Sequence, residues 1–389
     1  MRTSTRTLAL SLFAAVALFA AACGSDDPPA ASGGEDTTAS SSTTQPAATW
    51  ADAYADLGPY PVGITTLQLE SGPLVEVWYP AVEGSTGTDG YDMRDFIPEA
   101  VADLLTGDVS SAYSLEATRD AEVADGEFPL VLFSHGSGGV RTQSTFLTAH
   151  LASWGMVVAS PDHPSRDLTS RLGAGPAEPT DSVDDLLGTL ALMESENAGG
   201  PFEGHLDLDQ VAAVGHSAGG GTVLGAAADP AVDGYVSMAS GALGLDEGAA
   251  LPDKPSFFLA GSTDAIVPPD TRTRPAFEAA PAPSLLWIIE GVGHNGFDDF
   301  CTFGGGTGII GVAEASGLGE LLNALPGLRE LGEDGCLPPS LPVADTFPII
   351  NHAVTSWLRS LFGVDSEPVG LGPAVAGSYV TPVVIEVKE

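Results

Sequence analysis

The chain has 389 residues, of which 43% are hydrophobic, and its formal net charge at pH 7 is −39. A hydrophobic fraction of this size permits one large core, so we expect one α/β domain with tails. Such a negative surface repels nucleic acid and anionic lipid headgroups, which excludes a nucleic-acid partner, and we interpret it as a solubility or salt-tolerance feature. Lys254 and Lys388 are the only lysines, so a basic binding patch is not available.

The first 22 residues have the pattern of an export signal. Arg2 and Arg6 precede an apolar run over residues 8–22, which is too short to span a bilayer comfortably, and small residues lead to Cys23. The segment resembles a bacterial lipoprotein signal, in which this cysteine becomes the lipidated first residue; the alternative is an ordinary secretory signal with a chance cysteine. We therefore expect an exported protein, anchored by lipid at Cys23 to the extracytoplasmic side of the cell membrane, with a disordered linker over residues 23–49.

The other two cysteines form an even pair. If Cys23 carries lipid, Cys301 and Cys336 remain in an oxidising compartment, and we expect a disulfide between them. Two cysteines without a nearby histidine lack a ligand set, so we expect no metal site.

The chain from residue 50 to residue 365 reads as one domain with insertions at 81–127 and 302–342, and residues 366–389 read as a C-terminal tail that packs loosely. Residues 62–69 and 74–80 alternate apolar and polar side chains, which predicts an antiparallel hairpin at a sheet edge. Buried strands are expected at residues 128–134, 156–160, 211–216, 235–239, 256–260 and 285–289, and helices near residues 97–105, 142–154, 181–197 and 347–362. The alternation of strands and helices predicts a mostly parallel sheet with helices on both faces.

The strand from Val211 ends in the sequence Gly-His-Ser-Ala-Gly at residues 215–219, a pattern typical of a nucleophile elbow. A sharp turn from strand to helix puts Ser217 in a strained backbone conformation, so Gly215 and Gly219 must lack bulk where backbones approach closely. The small residues that follow predict a helix with its positive N-terminal end beside the serine.

An acid and a base follow the elbow in the chain. Asp264 comes just after the strand at 256–260, and His294 just after the strand at 285–289, which is the order serine, acid, histidine of an α/β-hydrolase triad. In such a triad the imidazole takes the proton of the serine hydroxyl, and the carboxylate orients the imidazole. His163 is the rival histidine, which we interpret as a packing or substrate-contact residue. Asp162 is the rival acid, although its strand precedes the elbow.

Two backbone N–H groups are needed to hold the oxyanion of an acyl-transfer intermediate. Ala218, the residue after the nucleophile, supplies one. Ser137, in the glycine-rich segment at residues 135–139 after a buried strand, is expected to supply the other.

Residues 133–143, 151–164 and 214–220 resemble the α/β-hydrolases that include platelet-activating-factor acetylhydrolases, bacterial polyester hydrolases and cutinases, and dienelactone-hydrolase-like esterases. The resemblance implies an α/β-hydrolase fold and serine ester hydrolysis without a cofactor. Three features depart from it. The acetylhydrolases carry their acid after the strand that follows the elbow, where residues 238–243 hold no carboxylate. Polyester hydrolases commonly have methionine where Ala218 stands, and true dienelactone hydrolases use cysteine where Ser217 stands.

We therefore expect a serine carboxylic-ester hydrolase, esterase-like or lipase-like, that cleaves small to medium acyl or lipid-derived esters through an acyl-enzyme. An acetylhydrolase of the platelet-activating-factor type, or a polyester hydrolase, is the alternative within ester chemistry. An acyltransferase or peptidase could use the same triad, and a non-catalytic surface binding protein could use the same scaffold. We hypothesise that the loop between Cys301 and Cys336 forms a wall of the acyl pocket; alternatively, it only covers the sheet.

Overall fold

The computed structural model describes residues 51–243 and 250–389. The expected signal peptide at residues 1–22, the lipidation site at Cys23 and the linker at residues 23–49 lie outside the described residues. No helix within the described ranges combines the length and hydrophobicity needed to cross a membrane.

The described residues form a central sheet, a small second sheet and helices. The strands are β1 (Val62–Gln68), β2 (Leu74–Pro80), β3 (Asp89–Asp92), β4 (Ala112–Leu115), β5 (Thr118–Arg119), β6 (Phe128–Ser134), β7 (Val157–Pro161), β8 (Leu206–His216), β9 (Gly234–Met238), β10 (Ser256–Gly261), β11 (Ser284–Ile289) and β12 (Val383–Lys388). The α-helices are α1 (Glu99–Ala102), α2 (Thr145–Ser153), α3 (Leu168–Arg171), α4 (Ser182–Gly199), α5 (Ala218–Ala226), α6 (Thr273–Ala279), α7 (Phe303–Gly306), α8 (Gly308–Ala315), α9 (Gly319–Asn323), α10 (Leu328–Glu333) and α11 (Val343–Leu361). Short 3-10 helices occupy Met93–Phe96, His294–Phe297, Phe300–Thr302 and Pro373–Ser378.

The central sheet has ten strands in the order β12-β11-β10-β9-β8-β6-β7-β2-β1-β5. The six strands from β11 to β7 in this order are parallel to one another. Apolar side chains pack in one cluster on each face of the sheet, which explains why these strands are almost continuously apolar. The expected mostly parallel sheet with helices on both faces is confirmed.

The predicted hairpin is present, since β1 and β2 pair antiparallel. The insertion at residues 81–127 is fixed to it through Glu76, whose side chain is buried. Glu76 accepts hydrogen bonds from the Tyr91 hydroxyl at 3.0 Å and from Arg119 at 3.1 Å. A buried carboxylate needs such partners, so these contacts tie the insertion to the sheet.

The expectation of a loosely packed C-terminal tail is wrong. β12 pairs antiparallel with β11 along six residues and extends the central sheet by one strand. Four of the five residues at 383–387 are β-branched, which is itself a strand signal, and the segment pairs with the open edge of β11 in the folded chain.

The segment between Cys301 and Cys336 forms four short helices, α7 to α10, and the expected disulfide joins its two ends. We call residues 302–335 the stapled segment. It begins a few residues after His294 in the chain. It lies over the end of the sheet that carries Ser217, because Ile309, Leu328 and Leu331 line one pocket with Ser217.

Candidate active site

The nucleophile elbow has the strained geometry that its sequence indicates. Ser217 joins β8 to α5 with φ 55° and ψ −123°. A Cβ atom on Gly215 would lie 2.3 Å from the Gly219 carbonyl oxygen, and one on Gly219 would lie 1.9 Å from the Ser134 carbonyl oxygen. Both distances are too short for a real side chain, so this turn requires glycine at both positions.

The structure brings Ser217, His294 and Asp264 together. His294 Nε2 lies 2.9 Å from Ser217 Oγ, and His294 Nδ1 lies 2.9 Å from Asp264 Oδ2. The other Asp264 oxygen accepts the N–H groups of Ile266 at 2.9 Å and Val267 at 2.6 Å. The carboxylate is therefore fixed on both sides, and it holds the imidazole with Nε2 directed at the serine hydroxyl.

The glycine-rich loop after β6, residues 135–139, lies against the nucleophile, and we call it the oxyanion loop. A Cβ atom on Gly136 would lie 3.0 Å from Ser217 Cβ, and Ser137 lines the pocket above the serine. Gly138 donates its N–H to the Arg166 carbonyl oxygen at 2.7 Å. Within the residues that the structure describes, by contrast, the N–H groups of Ser137 and Ala218 have no hydrogen-bond acceptor in the protein. They are the two donors that an oxyanion could use.

Gln143 and His216 connect this loop to the histidine segment. Gln143 accepts the Gly136 N–H at 3.0 Å through Oε1, and its amide group donates to His216 Nδ1 at 2.5 Å. His216 Nε2 then donates to the His294 carbonyl oxygen at 3.1 Å. Burial holds the pKa of His216 well below its usual value, which favours the neutral ring, with Nδ1 as the acceptor and Nε2 as the donor. No local sequence pattern indicates these roles for Gln143 and His216.

Two buried carboxyls follow the histidine. Asp298 lines the pocket and accepts the Phe300 N–H at 2.9 Å, and Asp299 accepts the Phe146 N–H at 3.0 Å. Burial raises the pKa of Asp298 well above its usual value and raises the pKa of Asp299 to about 7. Burial therefore favours the neutral form of Asp298 beside the triad.

Asp334, in the stapled segment, holds the two loops that carry the triad acid and base. Its Oδ1 accepts the His294 N–H at 2.6 Å, and its Oδ2 accepts the Ala265 N–H at 3.0 Å. Its backbone carbonyl accepts the Asn295 N–H at 2.8 Å. One carboxylate thus spans the loop after β10 and the loop after β11. No local sequence pattern identifies it, because its partners lie 40 and 69 residues away in the chain.

A second serine, histidine and aspartate form a hydrogen-bonded line next to the oxyanion loop, but all three side chains are buried. His163 Nε2 lies 2.8 Å from Ser134 Oγ, and His163 Nδ1 lies 3.1 Å from Asp185 Oδ2. His163 is completely buried, and its backbone N–H donates to His135 at 3.0 Å. Arg166 also donates to Ser134 Oγ, at 2.8 Å. Because solvent does not reach Ser134, we interpret this group as a support for the loop that carries Ser137.

Asp162, the alternative triad acid, binds Arg141 and not His294. Asp162 accepts two hydrogen bonds from Arg141, from its backbone N–H at 2.9 Å and from its guanidinium at 2.8 Å. The structure therefore brings Asp264, and not Asp162, to His294. Across residues 51–243 and 250–389, no group of three or more His, Cys, Asp or Glu side chains is placed to hold a metal ion.

The catalytic side chains are nearly buried at the bottom of the pocket over Ser217. Ser217 is 6% exposed and His294 is 1% exposed. The pocket measures about 20 Å³ and is lined by the oxyanion loop, the triad residues and the stapled segment. An ester has room here only for a small group, so the remainder of a substrate has to lie outside this pocket or in a neighbouring one.

Two comparisons with known proteins agree with this fold. The profile of the family described as platelet-activating factor acetylhydrolase, isoform II, matches residues 59–172, which include the oxyanion loop but end before Ser217. A solved ferulic acid esterase from Streptomyces cinnamoneus superimposes with a TM-score of 0.61 at 19% sequence identity, over 85% of this chain and 97% of that chain. The chain therefore has an α/β-hydrolase fold, and the printed descriptions of both matches are those of enzymes that hydrolyse esters.

Proposed function

We propose that the chain is a serine carboxylic-ester hydrolase that cleaves small to medium acyl or lipid-derived esters through an acyl-enzyme. The observation that carries the proposal is the hydrogen-bonded line from Ser217 Oγ through His294 to Asp264, with both distances 2.9 Å. This line ends in a pocket beside two backbone N–H groups that lack acceptors in the described protein. No cofactor is needed for this chemistry.

In the first half of the reaction, Ser217 Oγ attacks the ester carbonyl carbon while His294 Nε2 takes the hydroxyl proton. The carbonyl oxygen becomes an oxyanion, which accepts hydrogen bonds from the N–H groups of Ser137 and Ala218. Asp264 stabilises the imidazolium. His294 then gives the proton to the departing alkoxy oxygen, so the alcohol leaves and the acyl group remains on Ser217.

In the second half, a water molecule attacks the acyl-enzyme carbonyl and His294 takes its proton. The second tetrahedral intermediate uses the same two N–H groups. When it collapses, His294 returns the proton to Ser217 Oγ and the carboxylic acid leaves. A positioned base typically contributes about 10²- to 10⁴-fold to such a step, and one oxyanion donor about 10²- to 10³-fold.

The test is hydrolysis of p-nitrophenyl esters from acetate to octanoate by the purified protein, beside the Ser217→Ala and Ser137→Ala variants. Ser217→Ala removes the nucleophile, and we expect a loss of at least about 10⁴-fold in kcat. Ser137→Ala is the matched control, because the mechanism uses only the backbone N–H of this residue. It is expected to keep kcat within about threefold of wild type.

A fluorophosphonate probe gives a second readout that does not depend on the choice of ester. The proposal expects the probe to label Ser217 in wild type and in Ser137→Ala, and not in Ser217→Ala. Folded protein that is neither labelled nor active on any ester would favour the non-catalytic binding scaffold. Transfer of the acyl group to added alcohols or amines in preference to water would favour an acyltransferase, and cleavage of peptides in preference to esters a peptidase.

We also propose that the protein is exported and anchored through lipid on Cys23, with the catalytic domain on the extracytoplasmic side of the membrane. The charged start, the short apolar run and the small residues before Cys23 support this. The test is fractionation of expressing cells. Wild type is expected with the membranes and Cys23→Ala in other fractions, and mass spectrometry of the mature N-terminus is expected to find diacylglycerol on the cysteine.

A further inference from the structure

We propose that the stapled segment and the insertion at residues 81–127 together enclose a binding chamber for an unbranched aliphatic chain of the ester substrate. This inference rests on the proposed function, because it names the part of the substrate that extends away from Ser217. The chamber is a cavity of about 70 Å³ adjacent to the catalytic pocket.

The chamber has walls from three parts of the chain. The insertion supplies Met93, Ile97, Val101 and Leu105, and the stapled segment supplies most of the remainder, from Phe303 to Leu328. Leu168 and Leu172, in and just after α3, complete the wall. Each of the sixteen lining side chains is apolar, so the chamber has no side-chain group that could bind a charged, hydroxylated or amide-bearing ligand.

The chamber borders the catalytic pocket at two side chains. Ile309 and Leu328 line both cavities, while Ser137, Ser217 and His294 line only the catalytic pocket. A chain attached to an ester at Ser217 therefore meets apolar surface as soon as it leaves the pocket. Since the catalytic pocket measures about 20 Å³, a chain longer than a short acyl group has to continue somewhere else.

An empty apolar cavity is costly to a fold. The lining side chains lose packing contacts, and the loss grows with the volume of the cavity. Water that enters from the open side compensates poorly, because the lining side chains offer it no polar partners. The disulfide between Cys301 and Cys336 joins the ends of the stapled segment, so most of the chamber's lining belongs to one covalently closed loop. A ligand that fills the chamber would restore the missing contacts.

The lining favours an aliphatic chain over an aromatic ring. Phe303 is the only aromatic side chain among the lining residues, and the others are flexible or branched aliphatic groups. Aromatic ligands gain from stacked or edge-to-face partners, which this lining offers at a single position. Each buried CH₂ group is expected to improve kcat/KM by up to about fourfold until the chamber is full.

The decisive experiment replaces a small side chain in the chamber wall with a large one. Ala313 lines it from α8, and Ala313→Phe places a ring in the cavity without changing a residue of the catalytic pocket. Ala315, on the same helix, is exposed, and Ala315→Phe is the matched control. Wild type is expected to gain at least about 30-fold in kcat/KM from acetate to octanoate. Ala313→Phe is expected to lose at least 10-fold on octanoate and less than about twofold on acetate, and Ala315→Phe is expected to behave as wild type.

Two arms of the experiment show on which side of the ester bond the aliphatic chain enters the chamber. One arm lengthens the acyl side of p-nitrophenyl esters, and the other lengthens the alcohol side of alkyl acetates. The arm in which Ala313→Phe removes the gain identifies the side that enters the chamber. If neither arm shows a gain with length in wild type, or if Ala313→Phe lowers all esters by the same factor, the chamber does not bind substrate.

A binding measurement separates this proposal from the proposed function. Ser217→Ala protein is heated with 1-octanol or 1-butanol, and the chamber predicts a larger rise in Tm with octanol that disappears when Ala313→Phe is added. Octanol binding without hydrolysis of any ester would support the chamber and overturn the esterase. Hydrolysis of esters with neither octanol binding nor an effect of chain length would support the esterase and overturn the chamber.

Discussion

Replacing Asp334 with alanine is the most direct test of how the stapled segment supports the site. The carboxylate accepts the N–H group of His294 at 2.6 Å and that of Ala265 at 3.0 Å. Hydrogen bonds to a charged group contribute about 1.5–3 kcal/mol each. Ala265 is exposed, so water can replace its lost acceptor, whereas His294 is buried and its N–H would remain without one.

We therefore expect the Asp334→Ala variant to lose about 2–3 kcal/mol, mainly from the bond to His294. The bond holds the backbone of the residue that transfers the proton. If this loss of free energy falls on the transition state alone, kcat decreases by about 30- to 160-fold. KM for a short ester should stay within about twofold, because Asp334 does not line the pocket. The assay is steady-state hydrolysis of p-nitrophenyl acetate, with urea unfolding to show that the variant is folded.

Two further variants make the result specific. Asp334→Asn keeps one acceptor oxygen and places an NH₂ group against the other N–H, so its kcat should lie between those of wild type and alanine. Glu330→Ala removes an exposed acidic side chain from α10, the helix just before Asp334, and should leave kcat unchanged. A folded Asp334→Ala variant with wild-type kcat would refute the argument that this carboxylate positions His294.

Three other predictions concern stability and the supports of the site. The double variant Cys301→Ser, Cys336→Ser should lower the free energy of unfolding by about 3–4 kcal/mol, because the disulfide closes a loop of 35 residues, and it should also change kcat or KM; urea unfolding and steady-state kinetics check both. His163→Ala should lower the unfolding free energy by about 3 kcal/mol in urea, whereas a substrate-contact role would instead raise KM at unchanged stability. Native Asp299 keeps its proton up to about pH 7 while the unfolded carboxyl releases it near 3.8, so this group makes the protein less stable as the pH rises between those values, by about 1.4 kcal/mol per unit. Asp299→Asn should remove that slope in urea unfolding measured from pH 4 to 8, and an unchanged slope would assign it to other groups.

The strands and the elbow could be predicted from the sequence because their signals are local. A buried parallel strand is a short apolar run, and the elbow needs Gly215 and Gly219 for reasons that act within one turn. The positions of Asp264 and His294 could be predicted because parallel strands end at the same edge of a sheet, which brings the loops after them together.

The supports of the site could not be predicted in the same way. Asp334, Gln143 and His216 act through partners that are distant in the sequence, and each belongs to a residue type that is common on protein surfaces or in turns. The apolar chamber depends on two insertions that meet only in the folded chain. The error at β12 has a different origin, because the β-branched signal was present but the pairing partner was not evident.

The pairing of β12 with β11 also determines what happens when the C-terminus is cut. β11 is buried along its whole length and has the sequence Ser-Leu-Leu-Trp-Ile-Ile. Without residues 383–389, its N–H and C=O groups on one side would face solvent beside large apolar side chains. Such an edge is a template for another chain, so proteolytic clipping at this end would produce self-association by strand pairing while Ser217, His294 and Asp264 remained in place.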